Sequence, residues 1–199
     1  METIFIIGGM GAGKSTARRA LVDLGLSCID FDEIGHRALE CPDVKTALVR
    51  SFGDDVLCGA TVNRAVLAQR AFSDDKATAT LNAITLPCIW QLFEQRINEL
   101  EALGCPAVVV ESSNFQGRDG GIVRDGDIVM AITAPEELRI ARAVAAGWDE
   151  DDVRQRIARQ ATDAERTAMA DVIFDNSGSP AELRQAVQDW WRQRSAHMQ

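Results

Sequence analysis

The chain has 199 residues, 46% of them hydrophobic and 26% charged, and a formal net charge of −9. That is ordinary globular usage in a chain long enough to bury a core unaided, which excludes a disordered tail, a collagen and a disulfide miniprotein. The acidic balance, with lysine only at Lys14, Lys45 and Lys76, argues against non-specific nucleic-acid binding and leaves room for a local basic pocket.

Met1-Glu2-Thr3 carries no positive n-region, and the apolar run Ile4 to Ile7 is too short for a signal core. No stretch approaches the length of a membrane span, so a soluble, cytoplasmic protein is expected. Ile4 to Ile7 reads instead as a strand buried on both faces, ending in glycines. Ala17, Ala20, Leu21 and Leu24 then recur at helical spacing, which predicts a helix from Lys14 to Leu24. Ser27-Cys28-Ile29 is a second strand, running into Asp30-Phe31-Asp32. Strand, glycine turn, helix, strand is the opening of an α/β fold.

The stretch that follows is helical in pattern, including Arg64 to Phe72 and Ala77 to Leu103, with Pro87 expected to kink or divide the second helix. It is too long for a simple crossover and reads as an inserted helical subdomain. Ala107 to Val110, Ile128 to Ile132 and Val172 to Phe174 are three further strands, each followed by polar loop residues. Such strand-end loops build the site in parallel α/β sheets. Between the last two, Glu136 to Ala146 and Asp151 to Gln160 read as helices; a final helix starts near Pro180, a first-turn proline. Gln116 to Gly121 is a glycine-rich loop too short to be a linker. Cys28, Cys41, Cys58, Cys88 and Cys105 form no C-x-x-C pair and read as buried free thiols, and His36 and His197 are too far apart in sequence for a His-rich metal site.

Gly8-Gly9-Met10-Gly11-Ala12-Gly13-Lys14-Ser15 matches G-x4-G-K-[ST] in full, after a buried strand and before a helix. Backbone N–H groups from Gly9 to Thr16 can ring a phosphate there, aided by the positive end of the helix dipole. Lys14 would reach the β- and γ-phosphates of ATP, Ser15 would ligate Mg²⁺, and Thr16 would add a donor near the α-phosphate. The loop alone does not separate kinases from GTPases or motors. The length, the insertion and the absence of N-K-x-D point to a small-molecule kinase.

Two further signals accompany it. Asp30 and Asp32 end the second strand; alternation would put both side chains on one side, with Phe31 opposite. Asp32 is the better candidate for orienting an acceptor hydroxyl and taking its proton. Asp30 reads equally as a helix cap or a catalytic group. The arginines Arg139, Arg142, Arg154, Arg156, Arg159 and Arg166 follow the fourth strand. A solvated face is the simpler reading of any one of them, but at least one is expected to meet phosphate from a closing lid.

Taken in order, these segments resemble the dephospho-CoA kinase family over nearly the full length. The likeness rests on I-I-G-G-M-G-A-G-K-S-T, L-G-L-S-C-I-D-F-D, V-N-R-A-V-L-A-Q-R-A-F, L-N-A-I-T-L-P, R-I-A-R-Q-A-T-D-A-E-R and A-D-V-I-F-D-N-S-G. It implies a P-loop, nucleoside-monophosphate-kinase-like α/β fold with a five-stranded parallel sheet. The core would be about 1–35, 105–134 and 168–199, the CoA-side helical insertion about 36–104 and the lid about 135–167. It implies transfer of the ATP γ-phosphoryl group to the ribose 3′-hydroxyl of dephospho-CoA, with Mg²⁺ and without nucleic-acid or membrane partners. By resemblance, Asp32 is the catalytic aspartate, Arg64 a substrate-side arginine, Gln160 and Arg166 lid residues with Arg156 and Arg159 nearby, and Asn176 and Gly178 the adenine-side loop. The chain departs from the family's usual His-Pro at Leu86-Pro87 and from its Arg-Asp at Ala145-Ala146-Gly147, where Arg142 is the candidate replacement charge. It also departs before Glu111, where Val108-Val109-Val110 replaces the usual Pro-Leu-Leu-x. A kinase for another small-molecule or nucleotide acceptor, and a nucleotide-binding regulator without turnover, are the alternatives.

Overall fold

A computed structural model describes residues 1–111, 123 and 126–197; the glycine-rich loop at 116–121 lies outside the described residues. The chain forms two compact units, Met1–Asp30 with Leu100–Gln199, and Phe31–Glu99.

The first unit is built on a five-stranded sheet of β1 (Glu2–Gly8), β2 (Ser27–Asp30), β5 (Ala107–Glu111), β6 (Ile128–Thr133) and β7 (Val172–Asp175), in the order β2-β5-β1-β6-β7. Every pairing is parallel, with Ile4 opposite both Val109 and Ile128. The central strands are continuous β-branched and apolar runs because both of their faces are covered: Ile4, Phe5, Ile6, Val108, Val109 and Val110 are fully buried. One face packs against α1 (Lys14–Val22) and α9 (Pro180–Ser195), through Ala17, Leu21, Leu183, Val187 and Trp191. Pro180 is indeed a first-turn proline, behind a Ser179–Glu182 capping box. The chain leaves β1 toward β2 on one side and reaches β6 and β7 on the other. The loop after β1 therefore sits where the strand order reverses, at the carboxyl edge of the sheet.

Three shorter helices join β6 to β7: α6 (Glu136–Ala145), α7 (Glu150–Ala158) and α8 (Asp163–Met169). The first two pack through Ile140, Ala143, Val153 and Ile157, with Met10 of the β1 loop against that cluster.

The second unit holds α2 (Phe31–Leu39), α3 (Pro42–Phe52), a 3-10 turn at Asp54–Val56, the antiparallel pair β3 (Leu57–Cys58) and β4 (Thr61–Val62), α4 (Arg64–Ala71) and most of α5 (Asp75–Ala102). Its core is Val44, Leu48, Val56, Leu67 and Ala71, with Leu81, Ile84 and Cys88 of α5 packed against it. Two expectations are corrected here. Pro87 does not divide α5, which is one helix of 28 residues. The proline removes one rung, the N–H that would meet the Ala83 carbonyl, and both residues are exposed, so water can replace it. The thiols are not fully buried either: Cys58 is exposed and the other four are half-buried.

Among the described residues, no helix is long and apolar enough to cross a membrane.

Candidate active site

The loop from Gly8 to Lys14 has the backbone its glycines permit. Gly11 (φ 75°) and Gly13 (φ 108°) are left-handed. They are also hemmed in: a Cβ on Gly11 would strike the Arg139 backbone, and one on Gly13 the Asn176 amide. Gly13→Ala should therefore cost about 2–3 kcal/mol, combining left-handed strain with the displaced Asn176 hydrogen bond. Urea denaturation measures this directly, and an unchanged midpoint would refute the close fit. Lys14 opens α1, and its Nζ donates to the Gly8 and Gly9 carbonyls at 2.9 and 3.2 Å. Ser15, exposed, and Thr16, half-buried, follow in the first helical turn.

Other segments hold this loop in place. The Met10 N–H donates to Gln160 Oε1 at 2.9 Å, tying the loop to the segment after α7. Asn176, which follows β7 and is 4% exposed, donates to the Ala12 carbonyl at 2.8 Å. Arg142 donates to the Gly178 carbonyl at 3.0 Å.

The six arginines are sorted by their partners. Arg154 is paired with Glu137 and Glu150 on the surface. Arg156 stacks over Trp148, 4.9 Å from the ring centroid, and Arg159 is exposed at the end of α7. Arg139 and Arg166 differ from these in being buried, at 5% and 7% exposure, and both guanidinium groups come up to Gly9. Among the described residues, Arg166 has one close carboxylate, Asp163 at 3.0 Å, and Arg139 has only Glu136 at 3.9 Å. Burial holds the Arg166 guanidinium below its ordinary value; Asp163 opposes this, and Arg139 adds to it. Arg139 Nε and Nη1 and Arg142 Nη1 are buried without a hydrogen-bond partner among the described residues. Two adjacent buried cations, one of them with unmet donors, at a loop that presents backbone N–H groups, make a site for a multiply charged anion. A cavity of about 570 Å³ opens beside it, lined by Thr133, Pro135, Arg139, Gln160, Asp175 and Ser177 among others.

The sequence names Arg139 but gives no reason to rank it above Arg142. The usable signal was its place on the apolar stripe of α6, beside Ile140 and Ala143, since a buried arginine must be paired or functional.

In the helical unit, α2 begins at Phe31, so strand alternation does not extend to Asp32 and the expected pairing with Asp30 on one side is corrected. Asp32 instead stands exposed in the first turn of α2, where the helix dipole favours a carboxylate. Phe31 meets Trp90 and Phe93 edge-on, at centroid distances of 6.4 and 5.5 Å, and pins the start of that helix to α5. His36, one turn beyond Asp32, lies 2.8 Å from Arg64 Nη1. Leu86 and Pro87 are exposed on α5. Asp30 ends β2 opposite Glu111, which pairs with Arg18 at 2.8 Å.

The dephospho-CoA kinase (CoaE) family model matches residues 3–182. The chain belongs to that family. It is an enzyme of the kinase class. A dephospho-CoA kinase of Corynebacterium efficiens is 40% identical over 187 residues, covering 92% of each chain. That of Mycolicibacterium paratuberculosis is 37% identical over 98% of this chain, which spans only 47% of that longer protein. Among solved structures, TT1252 from Thermus thermophilus superposes with a TM-score of 0.81 at 27% identity, covering 96% of this chain and 97% of the other.

Proposed function

We propose that the chain transfers the γ-phosphoryl group of ATP to the ribose 3′-hydroxyl of dephospho-CoA, giving CoA and ADP, in the cytoplasm. Family membership supports the reaction. The observation that carries the nucleotide half is the buried Arg139–Arg166 pair, with unmet donors on Arg139, beside a phosphate-binding loop.

In this reading the amides of Gly9 to Thr16 and the Lys14 ammonium bind the β- and γ-phosphates. Arg139 and Arg166 donate to oxygens of the transferring group, where charge is spread in the transition state. The cavity beside Thr133 and Asp175 receives the nucleoside, with Asn176, Gly178 and Arg142 setting its loop. Residues 135–167 serve as the lid, with Gln160 as its tie to the loop and Arg156 and Arg159 on its outer helix.

The helical unit takes the acceptor through Arg64, Leu86 and Pro87. Asp32 orients the 3′-hydroxyl and accepts its proton as the new O–P bond forms and the bond to ADP breaks. Among the described residues there is no cluster of three metal-ligating side chains. Ser15, exposed in the first turn of α1, is the protein group that would hold the Mg²⁺ brought in with the nucleotide. When bound, Mg²⁺ neutralises charge on the phosphates.

An acceptor panel tests the proposal: ATP consumption alone, with dephospho-CoA, and with nucleoside monophosphates. Only dephospho-CoA should support turnover. Leu86→His belongs in the same panel. A histidine there restores a polar contact worth about 1.5–3 kcal/mol if charge-assisted, or roughly 10- to 150-fold in affinity. Leu86 is 37% exposed, so the substitution buries no unpaired polar group. The expected result is a higher kcat/KM for dephospho-CoA. Inactivity of both proteins toward dephospho-CoA would sink the acceptor assignment.

A further inference from the structure

Cys41 and Cys88 are far apart in sequence, and neither lies in a pair that the sequence marks. The fold brings their sulfurs to 3.0 Å, with the Cys88 thiol donating to Cys41 Sγ and Cys41 donating onward to the Arg37 carbonyl. No other cysteine is placed this way: Cys28 and Cys105 meet Arg18 and Ser27, and Cys58 is exposed. We propose that Cys41 and Cys88 are a modification site, a dithiol that hydroperoxides oxidise to an intramolecular disulfide.

The geometry needs little change. A disulfide requires a separation of about 2.05 Å, so closure asks for about 1 Å of travel by side chains already in contact. Cys41 sits at the N-cap position of α3, outside the helix proper, where the backbone is extended and can yield. Both thiols are half-buried, which admits a small oxidant.

The steps balance. Cys41 sulfur attacks one oxygen of the hydroperoxide; the O–O bond breaks, that oxygen stays on Cys41 as a sulfenic acid, and the other leaves with the Cys41 proton as water from hydrogen peroxide or as an alcohol from an organic hydroperoxide. Cys88 sulfur then attacks the Cys41 sulfur, the S–S bond forms, and hydroxide leaves with the Cys88 proton as water. Two thiols are oxidised and one hydroperoxide is reduced. Burial, and then the hydrogen bond to Cys41, push the Cys88 thiol up to about 11, so it keeps its proton while Cys41 meets the peroxide and gives it up only as the S–S bond forms.

The link would join the start of α3 to α5 one residue beyond Pro87, where the helix lacks a rung. The loop it closes contains α3, the β3–β4 pair and α4. A cross-link over so long a loop constrains the unfolded chain strongly.

Stoichiometric hydrogen peroxide on the reduced full-length protein tests this. The intact mass should fall by two hydrogen atoms, and digestion should give one linked pair of peptides, those carrying Cys41 and Cys88. The melting temperature should rise by several degrees and return after dithiothreitol. In Cys88→Ser the reaction should stop at a Cys41 sulfenic acid that dimedone captures. Oxidation of Cys58 with Cys41 and Cys88 left as thiols would overturn the proposal. So would over-oxidation of either without a link, or links only between molecules. The wild-type peptide map decides the matter even if a variant folds poorly.

Discussion

Lys14→Ala is expected to lower phosphoryl transfer by about 10²- to 10³-fold or more, the scale for losing one preorganised charge at a developing anion. The protein should remain folded. The Lys14 ammonium bonds to the Gly8 and Gly9 carbonyls at 2.9 and 3.2 Å, in a half-buried loop and not in the core. Losing such bonds costs about 1 kcal/mol each, well inside the margin of a domain this size. The measurement is kcat at saturating ATP and acceptor, beside a thermal melt. Turnover near that of the wild type would overturn the phosphate-loop assignment. An unfolded variant would show that the Lys14 side chain holds the fold as well as the phosphate.

Asp32→Asn is the second large effect. The substitution keeps the shape and removes the proton acceptor, so kcat should fall by roughly 10²- to 10⁴-fold while ATP affinity changes little. Asp32 is exposed in the first turn of α2, where losing the charge should cost only about 0.3–1 kcal/mol of dipole interaction. Asp30→Asn is the control. Asp30 ends β2 beside Glu111, and a larger loss there would reverse the roles of the two carboxylates.

The sheet was legible from sequence because each strand is a short β-branched run bounded by polar or glycine residues. A strand buried on both faces carries that signature regardless of context. The phosphate loop was legible because its chemistry and its backbone need the same glycines. Asp32 reads from sequence as the last residue of a strand that the aspartates end, whereas the helix already begins at Phe31. Phe31, the first helical residue, packs on Trp90 and Phe93, some sixty residues later in the chain, a contact that no local pattern shows. The β3–β4 pair was invisible for the opposite reason, being only two residues long on each side of its turn. Pro87 does not divide α5, because the one rung it removes lies at an exposed position of a long helix, which no local pattern shows. The arginines were the hardest case: composition shows six charges, and only packing shows that two of them are buried beside Gly9.

The strand order also carries a consequence for how the protein is made. β1 is first in the chain and central in its sheet, yet its hydrogen-bonding neighbours begin at Ala107 and Ile128. During synthesis β1 has no partner until more than half of the chain has been made. Residues 31–99 have their own core, and all of its members lie within that stretch, so they can settle while the first strand waits. The run Thr3-Ile4-Phe5-Ile6-Ile7 is therefore an apolar segment that waits unpaired in the nascent chain, and a point at which premature release or slow elongation would lead to aggregation.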